Sequence, residues 1–400
     1  MAQLELERPA PINPNGQIFF VHIPKCAGTS LGERLAKQVD EKLVIRSSEY
    51  PHDKLAALSA EHFSKVRYMG GHYAEVYRRT YVPSSQAITG LRDPVKRLRS
   101  IVRHGARGQR FRSWMAPLYE TQDPNFLMTD ESRRNFLLHA SQVIYLLPNA
   151  LADLTPEYGL SDEAFEKANE TLRNCACVYT DESFDEFSRK LGGLFNDPPI
   201  ERAERLNSAP NKEQWIEDLD FVKIADHLCP WDVHVYELAQ QRAAETLAAL
   251  GNSTSPEQYA AWWQKQPQNK QVAVDFGAPY KSQGLGIRRK IPYGLSHVVK
   301  SRRMVELAEN NAYIDVRRPK NSRKLTLWLT GGECFDNPPA ISCDGVELQT
   351  SATNLAGVIR HSAKLPRVGD DALPYIRIGL KFKERAATAR RGHLLSVTIS

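Results

Sequence analysis

Between His22 and Ser30 the chain reads His22-Ile-Pro-Lys-Cys-Ala-Gly-Thr-Ser30, a run whose residue types could hold an anion. Gly28 lets backbone N–H groups approach a ligand closely, Thr29 and Ser30 bring hydroxyl donors, and Lys25 brings a mobile positive charge. A helix starting here would add unpaired N–H groups and the positive end of its dipole. This composition suits a phosphate. It is not the Walker A pattern, in which Lys follows the second Gly and directly precedes Ser or Thr. Here Lys25 stands three residues before Gly28, and no acidic residue presents itself as a magnesium ligand, so a nucleoside triphosphatase is disfavoured.

A second cluster is Leu91-Arg-Asp-Pro-Val-Lys-Arg-Leu-Arg-Ser100. Arg92, at the end of an expected strand, could grip a phosphate through two parallel N–H bonds. Ser100, two helical turns on, could reach the same phosphate from the side. The plainer reading of Arg92-Asp93-Pro94 is a capped helix start, since Asp suits the N-cap and Pro the first helical position. Between the two clusters, Tyr68-Met-Gly-Gly-His-Tyr-Ala-Glu-Val-Tyr77 holds two candidate general bases. His72 titrates near neutral pH, while Glu75 could serve as the base instead or orient His72. His22 falls on an apolar run and reads as structural. Arg103, Arg107, Arg110 and Arg112 with Trp114 mix basic and aromatic side chains, which fits an acidic sugar or a solvated surface equally well.

These residues need elements to position them. Gln17–Ile23 is a short apolar, β-rich run and reads as a buried strand. Pro24–Thr29 is a turn, after which Leu31, Leu35 and Val39 recur at helical spacing. Ser30 with Glu33 has the form of a capping box, which predicts a helix beginning at Ser30. Two further strand-to-helix units are Gln86–Leu91 followed by a helix from Pro94, and Ala176–Thr180 followed by a helix over Phe184–Leu194. A long helix is expected from Trp231 to Leu250. Alternation of this kind predicts an α/β fold, a parallel sheet with helices on both faces.

The first two motifs resemble the 5′-phosphosulfate loop and the 3′-phosphate motif of the carbohydrate sulfotransferases that use 3′-phosphoadenosine-5′-phosphosulfate (PAPS), the group that includes the heparan and chondroitin enzymes. They stand in that family's order, and the likeness covers roughly residues 16–250. The resemblance implies a P-loop-like fold and sulfuryl transfer from PAPS to an acceptor hydroxyl without a metal. It also implies that Lys25, Cys26, Ala27, Gly28, Thr29 and Ser30 hold the 5′-phosphosulfate, and that Arg92 and Ser100 read the 3′-phosphate. Lys25 would neutralise the bridging oxygen as the bond breaks. His72 matches the Gly-His that uronyl-type members place between the motifs, whereas other members use a carboxylate, so His72 and Glu75 both stay open. Arg205-Leu-Asn-Ser-Ala-Pro210, within Glu201–Lys212, resembles a late family loop that folds over the nucleotide.

Past a polar stretch at Gln264–Lys270 the pattern changes. Short β-rich runs appear at 324–330, 340–343, 346–349, 355–359, 375–382 and 394–399. Turn pairs such as Asp344-Gly345 separate them, the signature of a small antiparallel sandwich. Two domains are thus expected, a sulfotransferase domain over 1–265 and a basic β-rich accessory domain over 271–400. The second carries 21 Lys and Arg against 11 Asp and Glu, a balance that fits an acidic glycan, a glycolipid or a partner surface. Basic residues interleaved with stacking aromatics are sparse there, which argues against nucleic acid. No long apolar run or signal-like start is present. Six cysteines in 400 residues form no disulfide framework, although Cys334 and Cys343 could face each other across a hairpin. A cytoplasmic protein is expected, with a carbohydrate as the acceptor. The competing reading is an inactive carbohydrate-binding protein on the same nucleotide fold, against which Lys25, Arg92, Ser100 and His72 all stand.

Overall fold

Strands with little polar alternation along them are those buried on both faces, and five such strands open the fold. They are β1 (Ile18–Val21), β2 (Val44–Arg46), β3 (Tyr68–Gly71), β4 (Gln86–Leu91) and β5 (Cys177–Thr180). In the computed structural model, residues 12–46, 55–106, 112–147, 160–198 and 213–266 are described, followed by 272–274, 281–283, 285–290, 303–307, 311–317, 324–330, 338–355, 358–366, 373–382 and 393–399. The strand order is β2-β3-β1-β4-β5, and every neighbouring pair is parallel.

Helices cover both faces of this sheet. On one, Val21, Ala87, Leu91 and Val178 join a single cluster with Ala164 and Ala168 of the helix Asp162–Arg173 and Val235 and Ala239 of the helix Pro230–Ala249. On the other, Tyr179 stacks on Phe187 of the helix Phe184–Leu194. The long helix also closes the edge of β5, because the Thr246 hydroxyl accepts the Val178 N–H at 3.0 Å, a donor that a bare edge would leave unpaired.

The helix after β1 differs from its expected start. It runs Gly28–Ala36, so Ser30 lies inside its first turn and is not the N-cap. Ala27, at φ 59°, turns the chain sharply enough for helical geometry to begin at once.

The chain divides into two compact units. One comprises Met1–Gly32, Leu43–Ser188 and Asn207–Gly251; the other comprises Glu33–Lys42, Arg189–Leu206 and Asn252–Ser400. The second holds the strands β6 (Val272–Val274), β7 (Lys281–Gln283), β8 (Leu285–Lys290), β9 (Arg303–Leu307), β10 (Asn311–Arg317) and β11 (Lys324–Thr330). It continues with β12 (Ala340–Cys343), β13 (Val346–Glu347), β14 (Thr350–Leu355), β15 (Val358–Lys364), β16 (Tyr375–Lys381) and β17 (His393–Ile399). These form two sheets, ordered β13-β12-β16-β10-β7 and β14-β15-β11-β17-β9-β8, with β6 paired to β17.

Alternation does the packing in this unit. Ile314 and Val316 of the first sheet and Leu325, Leu327 and Leu329 of the second belong to one core. The helix Pro256–Lys265 precedes the polar stretch yet clusters with the β-rich unit, where Tyr259 and Trp263 pack on Tyr375. Cys343 is a buried free thiol, while Cys334 lies outside the described residues. Among the described residues no helix is long and apolar enough to cross a membrane.

Candidate functional site

Three adjacent strands, β3, β1 and β4, deliver His72, the segment His22–Ala27 and Arg92 to the same end of the sheet. Val21 pairs with Gly71 and with Thr89, so His22 and His72 emerge side by side. In an open parallel sheet the carboxyl ends of the strands form the binding crevice, above all where the strand order reverses. Here that point is between β1 and β4.

The loop after β1 is held in an uncommon shape. Lys25 and Ala27 both have left-handed backbones, at φ 69° and φ 59°, each costing about 1–2 kcal/mol for a residue with a side chain. Gly28 is required by packing: a Cβ there would lie 2.1 Å from Cδ2 of His22. Thr29 and Ser30 sit partly exposed in the first turn of the helix, where the Ser30 N–H donates to the Ala27 carbonyl at 3.2 Å. Lys25 is also partly exposed. Cys26 faces inward, and burial pushes its thiol up to about 11. It is therefore a packed thiol, not a nucleophile.

Arg92 reaches across to this loop, donating from Nη1 to the Lys25 carbonyl at 3.3 Å. Its Nε is buried without a hydrogen-bond partner and lies 3.9 Å from Asp181. The guanidinium thus has donor capacity to spare beside the Lys25 loop. Asp93 caps the following helix, Pro94–Ala106, by accepting the Lys96 N–H at 2.8 Å. Ser100 is partly exposed on that helix.

His72 is open to solvent but tightly oriented. Its Nδ1 lies 2.6 Å from the carbonyl oxygen of His22. A carbonyl can only accept, so Nδ1 carries the hydrogen and Nε2 keeps its lone pair when the ring is neutral. Two tilted ring contacts flank it: the His22 centroid lies 5.0 Å from that of His72, and the Tyr145 centroid lies 5.5 Å away. Surrounding protein disfavours the charged ring, and although the His22 carbonyl favours it, the Arg97 guanidinium again opposes it. The net effect lowers the His72 pKa below the ordinary histidine value of 6.5. His22 itself is driven by burial, and then by His72 and Lys25, to about 3. A ring that stays neutral at any ordinary pH fits the structural part read for it.

Glu75 does not join this group, which corrects its place among the candidate bases. Its carboxylate is buried, 1 % exposed, and accepts from Nε and Nη2 of Arg78 at 2.8 and 2.9 Å and from Nε of Arg79 at 2.7 Å. Arg78 in turn donates to the carbonyls of Pro83 and Ser85. Those residues lie just before β4 begins, at the opposite end of the strand from Arg92. Arg103 is paired with Glu217 at 2.7 Å, and Trp114 packs against the helical cluster around Leu98 and Met115. Arg107, Arg110 and the segment Glu201–Lys212 lie outside the described residues, as does the side chain of Arg112.

Three residues with no role assigned from sequence support the site. Tyr179 donates to the Cys26 carbonyl at 2.9 Å. Asp181 accepts the Asp93 N–H at 3.1 Å and the Tyr236 hydroxyl at 3.1 Å. Gln142 contacts both loops. Tyr179 and Asp181 belong to the third strand-to-helix unit, so their position at its carboxyl end was available as a signal. Gln142 had none. Among the described residues no group of three or more His, Cys, Asp or Glu is arranged to hold a metal ion.

No protein-family model matches the chain, and no curated protein matches it by sequence. Among solved structures, it is similar to a family 6 carbohydrate-binding module from Clostridium cellulolyticum, in complex with xylose. That likeness has 13% sequence identity and a TM-score of 0.23, and it covers 33% of this chain and 99% of the module.

Proposed function

We propose that this chain is a PAPS-dependent sulfotransferase built on a P-loop-like sheet, acting on a hydroxyl of a saccharide or glycolipid. The observation that carries the reading is the contact between Arg92 and the Lys25 loop, which sets two anion-gripping groups side by side at the reversal of strand order. Fit to a nucleotide phosphorylated at two positions rests on three features. The loop has left-handed backbones at Lys25 and Ala27, a conformation found in anion-binding backbone concavities, the helix starts at Gly28, and Arg92 keeps a buried Nε with no hydrogen-bond partner.

In this reading the loop 25–30 holds the 5′-phosphosulfate, and Arg92 with Ser100 holds the 3′-phosphate. PAPS supplies the activated sulfuryl group. Lys25 neutralises the charge gained by the leaving phosphate oxygen, an electrostatic role worth most in a site shielded from water. Nε2 of His72 takes the proton from the acceptor hydroxyl as the new O–S bond forms. The lowered pKa keeps that nitrogen unprotonated at neutral pH. Positioning and charge carry the reaction, as they do in phosphoryl transfer. Five buried free thiols among the described residues fit the reduced cytoplasmic setting that the proposal includes.

Calorimetry with PAP, the desulfated product, tests the reading. Wild type should bind it, and Arg92→Ala should weaken binding by about tenfold to a hundredfold, the worth of hydrogen bonds to a charged group. Absence of binding by wild type would overturn the proposal. Turnover of labelled PAPS against a glycan panel then identifies the acceptor.

A further inference from the structure

Gln142 ties the two loops together from below. Its Oε1 accepts the Arg92 N–H at 2.9 Å, and its Nε2 donates to the Arg92 carbonyl at 2.8 Å. The amide thus pairs with the Arg92 backbone much as a neighbouring strand would. The same Oε1 lies 3.4 Å from the Cys26 thiol of the other loop. Gln142 is seated in turn by Asp232, whose Oδ1 accepts from the Gln142 N–H at 2.8 Å and from the Ser141 hydroxyl at 2.6 Å. The second Asp232 oxygen faces Nη1 of Arg97 at 3.5 Å. Arg97 completes the circuit by donating from Nε to the Pro24 carbonyl at 3.0 Å. A ring of polar contacts therefore runs from the Lys25 loop through Arg97, Asp232 and Gln142 to Arg92 and Cys26, held between Arg97 and Asp232 by charge alone, with no hydrogen bond between them.

The three side chains are 0–1 % exposed. Burying an ion pair and an amide does little for stability, because apolar side chains of similar volume hold a fold as well or better. What the ring adds is a fixed distance between the loops. A ligand gripped at two points gains from the second grip only when the spacing of the grips matches its own.

We propose that Gln142, seated by Asp232 and Arg97, is a positioning residue that sets the spacing of the Lys25 and Arg92 loops, so that the site discriminates a nucleotide phosphorylated at two positions from one phosphorylated at a single position. This rests on the phosphonucleotide reading above. Loosening the ring leaves each loop its own affinity for a phosphate but removes the joint advantage.

The test is calorimetry of PAP and of AMP, which carries only the 5′-phosphate, with wild type and Gln142→Met. Methionine fills the space and makes neither bond to Arg92. Wild type should prefer PAP strongly. The variant should lose about tenfold or more in PAP affinity, the worth of two buried hydrogen bonds, while AMP affinity stays within about threefold of wild type. Equal loss for both nucleotides, or no loss for PAP, overturns the proposal. Gln142→Asn, one methylene too short to reach Arg92, decides the matter if the methionine variant does not fold. Failure of wild type to bind PAP removes the functional reading and this inference with it, and is distinct from a wild type that binds PAP beside a variant that binds it equally well.

Discussion

Arg78 holds Glu75 in a two-pronged grip, Nε and Nη2 each within 2.9 Å of a carboxylate oxygen, and this pairing separates the two acidic and basic candidates by function. Glu75 belongs to the packing of its helix, and His72 belongs to the crevice. Glu75→Gln leaves two arginines facing an uncharged partner in a buried place, so it should cost about 3–5 kcal/mol. Urea unfolding should show that loss, while the folded variant keeps wild-type turnover per active site. His72→Ala should do the reverse, holding its unfolding midpoint and losing turnover by about a hundredfold or more, the usual worth of a general base. Full activity in His72→Ala would return the role of base to another group.

The pH dependence of turnover follows from the same site. A base works only when unprotonated, and the His72 pKa is lowered from 6.5. Lowering the pH to 6.5 should therefore leave most of the activity in place, with the acid limb falling at a pH below 6.5. A kcat profile under saturating donor and acceptor checks this. An acid limb at or above 6.5 would mean that another group, or a differently placed histidine, controls the rate.

Gly28 gives a steric prediction. Alanine there would put its Cβ 2.1 Å from the His22 ring, and neither neighbour can yield freely, because His22 lies 5.6 Å from Phe20 on one side and 5.0 Å from His72 on the other. Gly28→Ala should cost about 1–3 kcal/mol and should weaken PAP binding together with turnover, since the shift passes through His22 to both the loop and His72. Thermal unfolding and calorimetry on one preparation measure both effects. An unchanged PAP affinity would show that the loop tolerates the displacement.

The strand, turn and helix around Lys25 were readable from the sequence because their physics is local. Proline, lysine and glycine at fixed spacing next to a β-rich run specify a strand, a turn and a helix start with little help from the rest of the chain. The helix Phe184–Leu194 and β4 were readable for the same reason, with boundaries that match. The start of the first helix was misread because a Ser–Glu spacing suits a capping box, whereas the left-handed Ala27 begins the helix two residues earlier. Glu75 carried a visible warning: arginines at i+3 and i+4 are the natural partners of a helical carboxylate. Gln142 had no local signature at all. Its meaning comes from contacts with Arg92, fifty residues earlier, and with Asp232, ninety residues later. In the β-rich unit, runs of β-forming residues bounded by turns revealed β11 and β16, whereas short polar strands such as β7 (Lys-Ser-Gln) carry no pattern to read.

The β-rich unit offers a last test, centred on Asp315. This carboxylate is buried on β10, where it accepts from Nε and Nη2 of Arg377, both at 2.8 Å, and from the Tyr259 hydroxyl at 2.8 Å. Burial raises its pKa above 3.8 despite these three donors. The folded state therefore binds the proton more tightly than the unfolded chain does. Between 3.8 and the raised value, stability falls as pH rises, because the charged form is the costly one when folded. Tyr259→Phe removes one donor from that charge and should cost about 1.5–3 kcal/mol at pH 7. The cost should shrink as the pH is lowered and Asp315 takes up its proton. Urea unfolding at pH 7 and near pH 4, followed by the fluorescence of Trp262 and Trp263 on the same helix, measures the difference. An equal cost at both pH values would mean that the hydroxyl does not act on the Asp315 charge.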